Sequence, residues 1–232
     1  YRKDLNIEFR AVLPDGSERV LHGQAEIIYD EHLNKPLKLI GTVQDITERR
    51  QAEVALLEAN EKAILEYERL IERIAQLAGT LGNARDLQTI YRALHAFSVI
   101  SLPCTSFFIS LYDSNQEIRI PVYACSDGEE FDVSSLPPIG MTGSPNSRAV
   151  STGTIIIENN FQEAMINKPM VNIGFEKDPE LPKSCLVAPM SVMGQIVGSV
   201  EVQSTQLAAY TKEHTTAMQM AANLAANAIE NF

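Results

Sequence analysis

Three cysteines, Cys104, Cys125 and Cys185, are the side chains best suited to covalent chemistry in this sequence. Thiol catalysis needs a thiolate in an electropositive, partly exposed setting, with a resolving partner. The three are widely spaced, odd in number and form no C-x-x-C pair, so the ligand pairs of a zinc site are missing. Cys125 ends a strand-like run before Ser126-Asp127-Gly128, among acids that would raise its pKa. The reading that follows is three reduced, mostly buried thiols; a redox role for one of them is the alternative. Of the four histidines, His22 and His32 fall in the N-terminal strand region. His95 and His214 fall on helical stretches, where solvated or packed positions are expected. Adjacent acids such as Glu129 and Glu130 point apart in a strand and make no acid–base pair. No H-E-x-x-H, G-x-S-x-G or P-loop pattern occurs. The expectation is a chain that is not an enzyme and has no metal site.

The elements that must position these residues fit an ordinary globular composition. Of 232 residues, 45% are hydrophobic and 21% charged. No window approaches the ~20 apolar residues of a membrane span. The start, YRKDLNIEFR, lacks a signal-peptide pattern and an initiator Met, which predicts a piece of a longer cytoplasmic protein. A net charge of −11 and a pI near 4.8 disfavour nucleic acid and anionic membrane as partners.

Three segments follow along the chain. Residues 1–45 read as three antiparallel strands, Leu5–Leu13, Glu18–Tyr29 and Leu37–Gln44, with a turn at Pro14-Asp15-Gly16-Ser17. Residues 46–81 hold no proline, no glycine before Gly79, and many strong helix formers. Leu57, Ile64, Tyr67, Ile71 and Ile74 follow alternating steps of three and four, with Asn60 in one seam position. That spacing predicts a parallel dimeric coiled coil about 50 Å long. One long helix packed on its own domain is the alternative. Residues 82–232 predict a helix, five or six antiparallel strands and a final helix, Thr211–Asn231, with Ala221 and Ala225 on a small-residue stripe. The fold class is therefore α+β: a three-stranded antiparallel fragment, a long helical linker, and an antiparallel sheet flanked by helices.

Two resemblances emerge from these residues. IEFRAVLPDGSERVLHG followed by LIGTVQDITERR resembles the C-terminal half of a PAS domain, ending in its D-I-T motif. The strands and helices that build a PAS pocket do not precede it, so the three strands would expose one apolar face: either the chain is a truncated piece, or a symmetry partner or swapping covers that face, and no PAS ligand is implied. Residues 82–232 resemble a GAF domain through SFFISLYD, PIGMTGSPNSRAVSTG, IIIENNF, SCLVAPMSVMGQIVGSVEVQS and AANAIEN. That resemblance implies a pocket between the sheet and its irregular cover, with Phe107, Ile109, Tyr123, Phe131, Phe161, Met165, Phe175, Ser184 and Leu186 as candidate lining. A packed core explains the same residues equally well. The NKFDE motif of cyclic-nucleotide GAF domains is absent, and no cysteine has the neighbouring histidine of the bilin subset. The cofactor is thus unknown.

Together the resemblances imply the sensory and signal-transmission region of a bacterial signalling protein. It would be a homodimer through Leu57, Ile64, Tyr67, Ile71, Ile74, Ala221 and Ala225. It would relay to an attached output domain, a histidine kinase or diguanylate cyclase. A small-molecule (nucleotide or metabolite) receptor is the alternative, and a cysteine-based GAF methionine sulfoxide reductase a further one. Asp45, Ile46, Thr47 and Glu48 would couple sheet to helix. Asp45 would cap the helix through the N–H of Thr47 or Glu48, with Glu48 reaching back to the Asp45 N–H. Pairing of Asp45 with Arg10 or Arg19 is the other option.

Overall fold

The structure is a computed structural model describing residues 2–30, 35–168 and 181–232. His32 and Phe175 lie outside the described residues. The chain forms two compact units, Tyr1–Tyr67 and Glu68–Phe232. Helix α1 (Thr47–Gly82) contributes its first part to one unit and its last part to the other.

In the first unit, β1 (Arg2–Val12), β2 (Glu18–Tyr29) and β3 (Pro36–Asp45) pair antiparallel in that order. The β1–β2 turn closes because Asp15 Oδ1 accepts from the Ser17 N–H at 2.9 Å and its hydroxyl at 2.7 Å, while Gly16 takes φ 82°. Register then aligns apolar residues across the sheet: Leu5, Ala25 and Gly41 form one row, and Ile7, Gly23 and Val43 the next. Ile7, Phe9, Leu39 and Val43 lie exposed on one apolar face among the described residues.

The second unit is built on a sheet of seven strands among the described residues. These are β4 (Ser106–Asp113), β5 (Ile118–Ser126), β6 (Glu129–Glu130), β7 (Ile139–Gly140), β8 (Ile156–Glu158), β9 (Ser184–Val192) and β10 (Gln195–Ser204). Their order is β6-β5-β4-β10-β9-β8, with β7 also on β5. The β9–β10 hairpin turns on Met193 and Gly194, both at positive φ, the signature of a tight hairpin loop. At the β10 bulge, a Cβ on Gly198 would meet Ser110 O at 2.4 Å, so only glycine permits this approach to β4.

Strand alternation gives the sheet two different faces. Phe107 and Ile109 of β4, Leu186 and Met190 of β9, and Val200 and Val202 of β10 point to one side. There they meet α2 (Leu87–Ser101), α5 (Lys212–Glu230) and the end of α1 through Leu77 and Leu81. Asp86 starts α2 by accepting from the Thr89 N–H at 2.6 Å. Two readings of the sequence are corrected here. Ala221 and Ala225 are fully buried between α5 and the sheet, where only a methyl lets the helix lie this close to β9, so they line no intersubunit face. Ile74 is partly buried and packs with Leu70 against the same core, on the side of α1 that carries Leu77 and Leu81. On the opposite face lie α3 (Pro145–Thr152) and α4 (Phe161–Ala164), which pack over β8, β9 and β10.

Candidate functional site

The face beneath α3 is polar and yet buried. Alternation against the apolar core places Ser110 of β4, Arg119 of β5, and Ser199, Glu201 and Gln203 of β10 on this side. All but Gln203 are buried, as is Asn146 of α3. Ser199 donates to Asn146 Oδ1 at 2.5 Å and lies 3.1 Å from the Ser110 hydroxyl. Asn146 Nδ2 donates to one Glu201 carboxylate oxygen at 2.9 Å, and Gln203 Nε2 to the other at 2.7 Å. Helix α3 is fixed over this network by its own N-terminus: Ser144 caps it by accepting from Ser147 N–H, and Pro145 occupies the first turn. Arg119 stands apart from the network. Its Nε is enclosed without a hydrogen-bond partner, and burial lowers the guanidinium pKa against the opposing pull of Glu201.

The pocket expected from the sequence is distributed differently. Phe107, Ile109, Tyr123 and Leu186 belong to the helix-packed core on the other face. Phe161 joins Ala149, Cys185 and Val187 in a small apolar cluster on the α3 side, with Met165 against it. Phe131 is half-buried, its N–H donating to Ala124 O at 3.0 Å. Ser184 is buried and donates to Gln206 O at 2.7 Å, closing the chain behind β10. Asp127 adopts positive φ before Gly128, and Asn160 caps α4, so both are turn formers. The residues missed were Ser110, Arg119, Asn146, Ser199 and Glu201. Their signal was the polar alternation of β10 and a lone arginine between Ile118 and Ile120.

None of the thiols is set up as a thiolate. Burial pushes Cys104 up to about 12, helped by the nearby Cys125. Burial also raises Cys125, with Glu130 adding to it, and holds Cys185 well above its ordinary value. His95 is packed rather than free: its ring lies 5.0 Å from Phe107, and Nδ1 is 3.3 Å from the Tyr123 hydroxyl. Tyr123 also donates to Glu130 at 2.9 Å, and Arg92 grips the same carboxylate with two bonds of 2.8 and 3.0 Å. This cluster ties β6 to α2. His214 serves the start of α5, where its Nδ1 accepts from the Thr211 N–H at 3.1 Å. No group of His, Cys, Asp or Glu among the described residues could hold a metal ion, and no described helix is long and apolar enough to cross a membrane.

At the D-I-T junction every residue has a bonding role. Asp45 Oδ1 accepts from both the N–H (2.9 Å) and hydroxyl (2.5 Å) of Thr47, and Oδ2 lies 3.7 Å from Arg19. Ile46 N–H donates to Val20 O, and the Val20 N–H donates back to Thr47 Oγ1, each at 2.9 Å. The Thr47 bonds, led by its hydroxyl, hold Asp45 below the usual carboxylate range. Glu48 does not close a capping box with Asp45. The acid remains a strand residue paired with Leu21, so the helix begins at Thr47 and Glu48 falls in its first turn, one residue early.

The architecture is thus an antiparallel sheet with helices packed on one face and short helices over a polar second face. The GAF domain family matches residues 84–230, and the chain belongs to it. Solved structures show the same fold at low identity. The GAF domain of an Acinetobacter phosphoenolpyruvate-protein phosphotransferase has TM-score 0.57 and 10% identity, covering 70% of this chain and 94% of its own. A free methionine-R-sulfoxide reductase from Neisseria meningitidis, in complex with its substrate, has TM-score 0.53 and 12% identity, covering 69% and 88%. Residues 122 to 287 of a methyl-accepting chemotaxis protein give 0.52 and 12%, covering 67% and 95%. No curated protein matches the chain.

Proposed function

We propose that this chain is the sensory and signal-transmission region of a multidomain bacterial signalling protein. It would comprise a PAS-type C-terminal sheet and a GAF domain on a shared helix, dimeric along α1 and relaying to an attached kinase or diguanylate cyclase. The observation that carries this reading is the stripe on α1: Leu57, Ile64, Tyr67 and Ile71 are 62%, 59%, 61% and 63% exposed at heptad spacing. A contiguous row of large exposed apolar side chains marks an interaction surface. A second α1, running parallel, offers the same row. The bonds that fasten Asp45, Ile46 and Thr47 to β2 leave no slack where sheet passes into helix. The occurrence of this fold in a chemotaxis protein supports a signalling role, and the protonated thiols favour it over cysteine catalysis. Ile64→Cys and Ile71→Cys variants should each cross-link to dimers under mild oxidation. A monomer at micromolar concentration by sedimentation would overturn the reading.

A second reading, the GAF unit as a small-molecule receptor, is favoured by one specific observation. The sheet face under α3 buries charges of both signs where a purely structural domain would place apolar residues. Native mass spectrometry of freshly purified chain should then show retained small molecule, and a clean apo mass on every preparation would count against it.

A further inference from the structure

The polar face under α3 contains a buried arginine whose Nε has no hydrogen-bond partner. Arg119 is 5% exposed, its Nε is enclosed and unpartnered, and its guanidinium makes no hydrogen bond or ion pair among the described residues. A guanidinium presents five N–H donors in a planar fork, and leaving an enclosed donor such as the Nε–H unpaired is destabilising. The acceptors nearby are already engaged. Both Glu201 oxygens receive bonds, from Asn146 and Gln203, and Asn146 Oδ1 is taken by Ser199. Glu201 therefore balances the charge of Arg119 through space without satisfying its donors.

The geometry points to Arg119 as the anchor of a binding site for a small molecule bearing a carboxylate, held through two parallel N–H···O bonds. This rests on the receptor reading above and narrows it to a ligand class. Two oxygens at carboxylate spacing match the arginine fork, and charge assistance makes such bonds stronger than those to a neutral carbonyl. A phosphate would match the fork as well. As a dianion, however, it would bring a second negative charge beside Glu201 with one arginine to offset both, and desolvation penalises such an excess. Of the guanidinium nitrogens only Nε is enclosed, so the terminal nitrogens offer a ligand its approach to the fork.

The test is a calorimetric and thermal-shift titration of the full chain at fixed ionic strength. The probes are acetate, propionate and benzoate, each against its neutral amide, with inorganic phosphate as a further arm. Carboxylates should bind and raise the melting temperature, while amides give no response and phosphate a weaker one. Arg119→Met should weaken carboxylate binding about tenfold or more, with Arg119→Lys between it and wild type. Glu201→Gln, which removes the competing negative charge, should tighten it. Should Arg119→Met fail to fold, the carboxylate–amide contrast in the wild type decides alone. Equal binding of amides, unchanged affinity in Arg119→Met, or no carboxylate response at all overturns the assignment. Binding of phosphate or of a neutral compound in place of carboxylates would overturn the ligand class while leaving the receptor reading standing; a chain that retains no small molecule from any source removes that reading itself.

Discussion

Ala225→Leu tests whether the alanine stripe of α5 is core or contact surface. Ala225 has no exposed surface, and it packs with Ala221, Ala222 and Met218 against the sheet. An isobutyl group there must displace the sheet or push α5 outward. The helix borders a groove of about 380 Å³, but that space is lined by Leu224, Ala228 and Asn231, not by Ala225, so the larger side chain cannot turn into it. Overpacking a closed site costs about 1–3 kcal/mol, and the absence of adjoining space argues for the upper end, about 3 kcal/mol. In a domain of this size each kcal/mol lowers the midpoint by about 2–4 °C, so a fall of about 6–12 °C is expected. Melting followed by circular dichroism at several concentrations provides the assay. The fall should be independent of protein concentration, because the strain lies within one chain. Were Ala225 part of an intersubunit seam, the substitution would change the dimer dissociation constant and leave the melt of dilute protein near wild type. That pattern would refute the assignment of α5 to the core.

Three other substitutions or conditions probe the remaining structure. Asn146→Leu removes a donor to the buried Glu201 and the acceptor of Ser199, which should cost about 2–3 kcal/mol in urea denaturation; a change below about 0.5 kcal/mol would mean water replaces the side chain freely. Burial holds His95 below its ordinary value, against the pull of Glu130, and His214 is lowered in the same way. The unfolded chain therefore takes up these protons first, so stability is present in full above about pH 6.5 and declines as pH falls through the lower folded values. His95→Gln should flatten that slope between about pH 7 and 5, and an unchanged slope would contradict the assignment. At mildly alkaline pH the native chain should react slowly with a disulfide reagent at all three cysteines, and fast after unfolding. A single thiol reacting at the rate of free cysteine would reopen thiol catalysis.

The sequence carried the elements more clearly than their surroundings. The run Leu37–Gln44, the β9–β10 hairpin and the closing helix are legible because period-2 and helical patterns depend only on neighbouring residues. Which face of a strand is covered, and by what, depends on distant segments. Phe107, Ile109, Tyr123 and Leu186 are large and apolar, so they fit a pocket wall as well as a core until α2 and α5 are known to lie over them. The alanines of α5 pose the same ambiguity, since a small-residue stripe suits a sheet as well as a second helix. Arg119 was least legible of all. An arginine between two isoleucines in a strand ordinarily reaches solvent, and its burial depends on segments distant in the chain. At Asp45 the acceptor role was readable, but the partner depended on where the strand ended.

Strand β10 shows why the two faces deserve separate treatment. Val200 and Val202 are fully buried in the apolar core, and Ser199 and Glu201 are buried beneath α3 within the same few residues. Equal burial does not mean equal purpose. Filling the second face with Val and Leu would avoid the desolvation of Glu201 and Arg119, and such replacements are often neutral or stabilising in other proteins. Stability therefore does not require this polar face. Each Glu201 carboxylate oxygen already receives a bond, whereas the enclosed Arg119 Nε has none. One half of a charged pair has thus been satisfied by the fold and the other has been left open. Substitutions at Val200 and Val202 should act on the melting temperature alone, and those at Ser199 and Glu201 also on whatever engages Arg119, because beyond the bulge alternation sends adjacent residues to environments that share only a backbone.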